Sequence, residues 1–239
     1  MKRLLIDAGN TNIKLASVTG GDWSEVTSLP SGRVRDLDLG QFIDAGQAWA
    51  SNVAGDEVAM QISRACKERG IPLHFVEALP MQCGVRNGYD VPVQLGSDRW
   101  ASMIAAWHLV KKPCLVVSCG TATTVDALSD GGEFLGGLIL PGIELMQKSL
   151  IDATALPEPA QGRHAGFPRN TADAILSGAI QATCGAITRQ HERLDAGSSV
   201  LLCGGAARLV LPHLALQAEI VDNLVLMGLE LIARDADRE

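Results

Sequence analysis

Short apolar runs that stop abruptly at polar, glycine-bearing turns set the rhythm of this chain. Leu4, Leu5 and Ile6 form the first run, which ends at Asp7 and is followed by Ala8-Gly9-Asn10-Thr11-Asn12. Apolar and polar positions then alternate from Ile13 through Val18. The pattern predicts a buried strand, a tight Gly/Asn turn and a return strand. Residues 114–126, Cys-Leu-Val-Val-Ser-Cys-Gly-Thr-Ala-Thr-Thr-Val-Asp, repeat the same order of apolar run, small residue, Gly, hydroxyl cluster and alternating return. Gly9 and Gly120 anchor the two copies. Each copy opens roughly half of the chain, so the repeat predicts a duplicated α/β unit with a ligand between the halves.

Between the copies, residues 19–50 are weakly patterned and read as further strands with loops. Trp49 to Val53 reads as a strand, and Asp56 as the N-cap of a helix whose face is Val58, Ile62, Ala65 and Cys66, ending at Gly70. Ile71–Val76 is the next strand, and residues 83–96 read as a loop carrying Tyr89, the single tyrosine. A helix follows Gly96-Ser97-Asp98-Arg99, with Trp100, Met103, Ile104 and Trp107 as its buried face. Lys111-Lys112-Pro113 marks the junction, dividing the chain into domains 1–112 and 113–239. The second half continues with a glycine-rich strand over Phe134–Leu140, a helix from about Ile143 and a long loop over 155–170 that reads as a lid or wall. Thr171 is read as the N-cap of a helix with the face Ile175, Leu176, Ala179, Ile180, Thr183 and Ile187. Val200–Ala207 is a strand ending in a glycine turn, and a final amphipathic helix follows Val221.

Composition narrows the function classes. Apolar residues make up 47% of the chain and aromatics only 4%, so aliphatic side chains carry the core. A formal charge of −7 with no basic stripe argues against nucleic acid as a partner. The six cysteines show neither CxxC pairs nor zinc spacing, and the five histidines form no metal-ligand motif. No signal peptide and no run of membrane-spanning length is visible. These features predict a reduced, cytoplasmic protein without a membrane partner.

Candidate chemistry concentrates at the two turns and at the helix that begins near residue 97. A carboxylate at the end of a buried strand calls for a cation or a donor. Asp7, the amide-rich turn beside it, the hydroxyls and Lys14 together suit a nucleotide phosphate with Mg2+. The plainer reading is an Asn/Gly hairpin with a capping Asp. Asp98 likewise reads either as a functional carboxylate or as an N-cap favoured by the helix dipole, with Arg99 solvated beside it.

At these residues the sequence resembles the type III pantothenate kinases, members of the sugar kinase, heat-shock ATPase and actin superfamily. The match is carried by Asp7-Ala-Gly-Asn-Thr-Asn-Ile-Lys14, Asn87-Gly-Tyr-Asp-Val-Pro92 with Gly96-Ser-Asp-Arg99, Gly120-Thr-Ala-Thr-Thr-Val-Asp126, and Asn170-Thr171 heading a helix. The resemblance implies an α/β fold of two ribonuclease H-like domains, a homodimer, and ATP-dependent phosphorylation of pantothenate to 4′-phosphopantothenate, the first step towards coenzyme A. It further implies that Asp98 receives the substrate's hydroxyl proton. Tyr89, Gly96, Ser97, Arg99 and Thr171 would join Asp98 in holding pantothenate. Asp7, Ala8, Gly9, Asn10, Thr11, Asn12, Ile13, Lys14 and Thr121 would contact ATP, with Asp7 holding Mg2+ directly or through water.

One position departs from the family pattern. Three residues before Thr121 the family usually has an Asp that helps bind a monovalent cation, K+ or NH4+, and here stands Ser118. A neutral hydroxyl cannot supply that charge, which puts cation activation in doubt. Two other readings compete: another small-molecule kinase of the superfamily, and a non-catalytic regulatory relative. Loss of Asp7, Asp98 or Arg99 would mark the latter, and all three are present.

Overall fold

The computed structural model describes residues 1–154, 161–195 and 197–238. The chain divides into two compact units, one of Met1–Leu109 with Asn223–Glu239 and one of Val110–Asp222. The 155–170 loop lies partly outside the described residues.

The first unit contains strands β1 (Lys2–Ala8), β2 (Asn12–Thr19), β3 (Asp22–Trp23), β4 (Thr27–Pro30) and β5 (Gln47–Asn52), helix α1 (Asp56–Glu68) and strand β6 (Leu73–Phe75). Then come a short hairpin of β7 (Met81–Gln82) and β8 (Val85–Arg86) and helix α2 (Ser97–Val110). The second unit contains β9 (Cys114–Cys119), β10 (Ala122–Leu128), β11 (Phe134–Pro141), α3 (Ile143–Ala153), α4 (Thr171–His191), β12 (Ser199–Cys203), the short α5 (Ala207–Val210) and β13 (Glu219–Ile220). Helix α6 (Leu224–Ala236) closes the chain and packs on β1 and β5 of the first unit. Chain order alone places that helix with the second half, and its packing places it with the first.

The two sheets repeat one topology. The first has the order β3-β2-β1-β5-β6, with β4 also on β2, and the second has β11-β10-β9-β12-β13. In each, the opening strand pairs antiparallel with its hairpin partner and parallel with the fourth strand, which pairs parallel with the fifth. The duplication legible in the two Gly turns is therefore a duplication of whole sheets.

Alternation along β1 divides its residues between two faces. Leu4, Ile6 and Ala8 enter a core with Ile13, Ala48 and Ile62. Arg3, Leu5 and Asp7 face the other way, in register with Gln47, Trp49 and Ser51 of β5. α6 meets this second face, where Glu230 accepts from Arg3 at 3.0 Å and Asp237 accepts from Gln47 at 3.2 Å. In the second unit Leu115, Val117, Val125, Ile180, Val200 and Leu202 form the corresponding core.

Several local expectations are corrected. The stretch read as a loop from 83 contains the second strand of the β7–β8 hairpin, whose turn places Cys83 at φ 51° and Gly84 at φ 79°. Positive φ at both central residues matches the twist of a two-residue hairpin. α2 is buried nearly all round, not on one stripe. One cause is α6: a Cβ on Gly228 would lie 1.9 Å from the Ala101 carbonyl oxygen, so the two helices meet backbone to backbone. Asp98 is not the cap of α2, because the helix begins at Ser97 and the Gly96 carbonyl accepts from the Trp100 amide at 3.0 Å. Thr171 is not the cap of α4 either; Asn170 is, its side chain accepting from the Asp173 amide at 2.9 Å. Among the described residues no helix is long and apolar enough to cross a membrane.

Candidate active site

The turn after β1 is fastened by backbone and hydroxyl bonds that leave its outer amides free of bulk. The Gly9 amide donates to the Asn12 carbonyl at 3.1 Å, and Ser31 Oγ donates to the Gly9 carbonyl at 2.6 Å. Asn10, Thr11 and Asn12 are exposed, as an amide-lined phosphate contact requires. At the root of the turn Asp7 lies opposite Lys14 in the ladder, so both side chains share one face. Beside them on the parallel neighbour is Ser51.

Ser51 ties this strand end to α2. Its hydroxyl is 2.8 Å from the hydroxyl of Ser97, and both groups are buried. The bond pins the first turn of α2 against the ends of β1 and β5. Asp98 is therefore brought close enough for its charge to act on Asp7. The Asp98 carboxylate accepts from the Arg99 amide at 2.8 Å. Gly96 keeps room for it, since a Cβ there would lie 2.7 Å from Asp98 Oδ1. Ser51 carries no motif of its own, and sequence reasoning did not find it.

Both carboxylates are made reluctant to ionise. Burial raises Asp7 to about 7; Lys14 opposes the rise and the Asp98 charge adds to it. Asp7 keeps a partly exposed edge although protein surrounds it, which leaves a path for a ligand. Burial also raises Asp98, against the lowering effect of the Arg99 amide and the Arg99 charge. Two like charges in a desolvated corner disfavour joint ionisation unless a cation joins them.

The donor set fits such a cation. No group of three His, Cys, Asp or Glu side chains with metal-holding geometry occurs among the described residues. Mg2+ is commonly held by one or two carboxylates, with phosphate and water completing its shell. Asp7 fits that pattern as the single carboxylate.

Arg99 is not solvated. It is 7% exposed, its Nη1 donates to Tyr89 Oη at 2.9 Å, and its guanidinium lies 5.7 Å from the Tyr89 ring centroid. Tyr89 is itself placed by Asn87, whose Oδ1 accepts from the Tyr89 amide at 3.0 Å and whose Nδ2 donates to the Pro92 carbonyl at 3.2 Å. Trp100 Nε1 donates to Gln82 Oε1 at 3.0 Å, fixing the β7–β8 hairpin to α2. Asp98, Arg99 and Tyr89 thus form one constructed patch next to Asp7 and Lys14.

The second unit carries the matching turn. Gly120 donates to the Ala122 carbonyl at 3.0 Å, and Thr121 is exposed at the tip. Two glycines allow its close surroundings: a Cβ on Gly142 would lie 2.2 Å from the Gly120 carbonyl oxygen, and one on Gly204 would lie 2.5 Å from that of Cys119. Ser118 occupies the place that Asp7 holds in the first unit, two residues before the turn glycine. Its ladder partners are Thr124 and Cys203, so this position lacks the Asp7–Lys14 charge pair. Thr171 is exposed in the first turn of α4.

The Asp7 shift has a definite sign in stability. Between pH about 4 and about 7 the folded protein holds a proton that the unfolded chain has released, so this group's contribution to stability falls as pH rises. Asp7→Asn removes that slope. In the absence of nucleotide and metal, the variant is expected to melt above the parent at pH 8 and close to it at pH 4.5. Thermal denaturation at the two pH values checks this, and a variant less stable than the parent at pH 8 contradicts it.

Comparison with known proteins gives the family of the chain. Residues 3–193 match the family model described as type III pantothenate kinase. The type III pantothenate kinase of Nitrosospira multiformis is 43% identical over 239 residues, covering 97% of this chain and 91% of that one. That of Aromatoleum aromaticum is 44% identical over 238 residues, covering 97% and 98%. Among solved structures, component A of the (R)-2-hydroxyglutaryl-CoA dehydratase of Acidaminococcus fermentans shares the fold with a TM-score of 0.56 at 11% identity, covering 100% of this chain and 98% of that one. The doubled sheet fits a fold of two ribonuclease H-like domains, and the chain belongs to the type III pantothenate kinase family.

Proposed function

We propose that the protein transfers the terminal phosphoryl group of ATP to the primary hydroxyl of pantothenate, giving 4′-phosphopantothenate. The observation that carries this reading is the convergence of Asp7, Lys14 and Asp98 at one strand end, beside the buried Arg99–Tyr89 pair. Phosphoryl transfer asks mainly for positioning and for charge stabilisation of the phosphoryl oxygens. Asp7 would hold Mg2+, directly or through water, and the ion would supply neutralising charge to the ATP phosphates. The turn from Ala8 to Ile13 offers amides and hydroxyls to the phosphates, Lys14 offers its ammonium, and the resemblance assigns Thr121 to the same ligand.

Asp98 accepts the substrate's hydroxyl proton. Its raised pKa makes it a better match to neutral pH than an ordinary carboxylate. In a loose transition state the proton moves late, so orientation by the Arg99 amide and the Ser51–Ser97 bond matters as much as basicity. Arg99 holds the pantothenate carboxylate through its planar fork, with Tyr89 supporting the guanidinium. Gly96 and Ser97 shape the floor of this site, and Thr171 is assigned to the substrate by resemblance. A monovalent cation gains no carboxylate from Ser118, so we assign K+ or NH4+ no essential part. A homodimer follows the family pattern.

Pantothenate-dependent ADP release by the purified protein tests the reading. Asp98→Asn is expected to lower it by at least about a hundredfold with the melting temperature little changed. Near-normal turnover would remove Asp98 from the chemistry. Arg99→Lys keeps the charge but loses the fork, so the KM for pantothenate should rise several-fold while that for ATP stays within about twofold. Equal loss for both ligands would make Arg99 a structural residue.

A further inference from the structure

We infer that Asn223 is a positioning residue for Lys14, holding the ammonium towards the phosphates of ATP without neutralising it. The inference rests on the kinase reading above and extends it to the last helix of the chain.

Asn223 stands immediately before α6, and its carbonyl accepts from the Met227 amide at 3.1 Å, so its backbone begins the helix. Asn is among the best N-cap side chains, yet here it caps nothing in its own helix. The residue adopts a left-handed conformation, φ 62° and ψ 31°, instead of the extended one that aims a cap side chain at the helix amides. Its Oδ1 instead accepts from Lys14 Nζ at 3.3 Å, across 209 residues of sequence. A residue that gives up its local partner and takes an uncommon backbone conformation to reach a lysine is placed for that lysine.

The chemistry of the acceptor matters. A lysine side chain has four freely rotating bonds and an ammonium with three donors, so charge alone does not fix its direction. Asp7 lies opposite it in the ladder and attracts the ammonium inward. The amide oxygen of Asn223 takes one donor and adds no negative charge, leaving the others for a phosphate oxygen. An aspartate in the same place would form an ion pair and add a third carboxylate to a corner meant to receive a polyphosphate. The neighbouring Asp222 is engaged elsewhere, with Arg208 at 2.8 Å.

Two substitutions separate the functions of this side chain. Asn223→Gly preserves the left-handed backbone and removes the acceptor. Asn223→Asp preserves shape and acceptor and changes only the charge. Each variant is measured for KM of ATP, KM of pantothenate, kcat and melting temperature. Asn223→Gly is expected to raise the KM for ATP about three- to tenfold, with the KM for pantothenate within twofold and the melting temperature within a few degrees. Asn223→Asp should raise the KM for ATP further, by more than tenfold, while leaving the protein at least as stable as the parent. A merely structural residue would show the reverse in the Asp variant, losing stability or affecting both substrates equally. ATP affinities unchanged in both variants would overturn the inference. Absence of pantothenate-dependent ADP release from the parent protein would instead overturn the kinase reading, so the two failures are distinguishable.

Discussion

A carboxylate at the end of a buried strand, facing one lysine and close to a second carboxylate, is the constraint on which the first unit depends. Water would relieve Asp7 at no cost, but the fold surrounds it with protein and so holds its pKa near 7. Lys14 offsets part of this cost. The remainder is a deliberate instability of the ligand-free protein, which a divalent cation and phosphates can remove. Elements far apart in the chain serve this corner: Ser51 from β5 and Ser97 from α2 fix the second carboxylate, and Asn223 at the head of α6 reaches the lysine.

The second unit shows what the same topology looks like without that burden. Its opening hairpin has the same strand directions and the same parallel neighbour. Ser118 replaces Asp7, and Thr124 and Cys203 replace Lys14 and Ser51 as its ladder partners. Each sheet thus retains the turn, whereas only the first retains the charge cluster. The duplication supplied two frames, and the charged corner occupies one of them.

How much of this could be read from sequence follows from the range of each interaction. The hairpins at Gly9 and Gly120 depend on neighbouring residues, and both occur where apolar runs meet glycine turns. Helix α1 and the α3 start were legible for the same reason, through periodicity and flanking glycines, although the N-cap of α1 is Gly55 and not Asp56. Arg99 was open to a solvated reading because a first-turn arginine usually is solvated; its burial depends on Tyr89, ten residues earlier, and on the loop that Asn87 shapes. The β7–β8 hairpin was missed because Cys83 takes a positive φ, which a non-glycine residue seldom signals. The Ser51–Ser97 and Lys14–Asn223 bonds span 46 and 209 residues and involve side chains with no local pattern. The place of α6 was also hidden, since amphipathicity tells that a helix packs but not on which unit.

The central claim is that Asp7 is held partly protonated in the free protein and ionises when a metal-bound nucleotide arrives. Calorimetric titration with ADP already complexed to Mg2+, repeated in buffers of different protonation enthalpy, reads the protons released on binding. At pH about 6 the release should approach one proton per site, and it should fall towards zero at pH about 8.5, where the carboxylate is already ionised. Binding with no proton release at either pH would contradict the account.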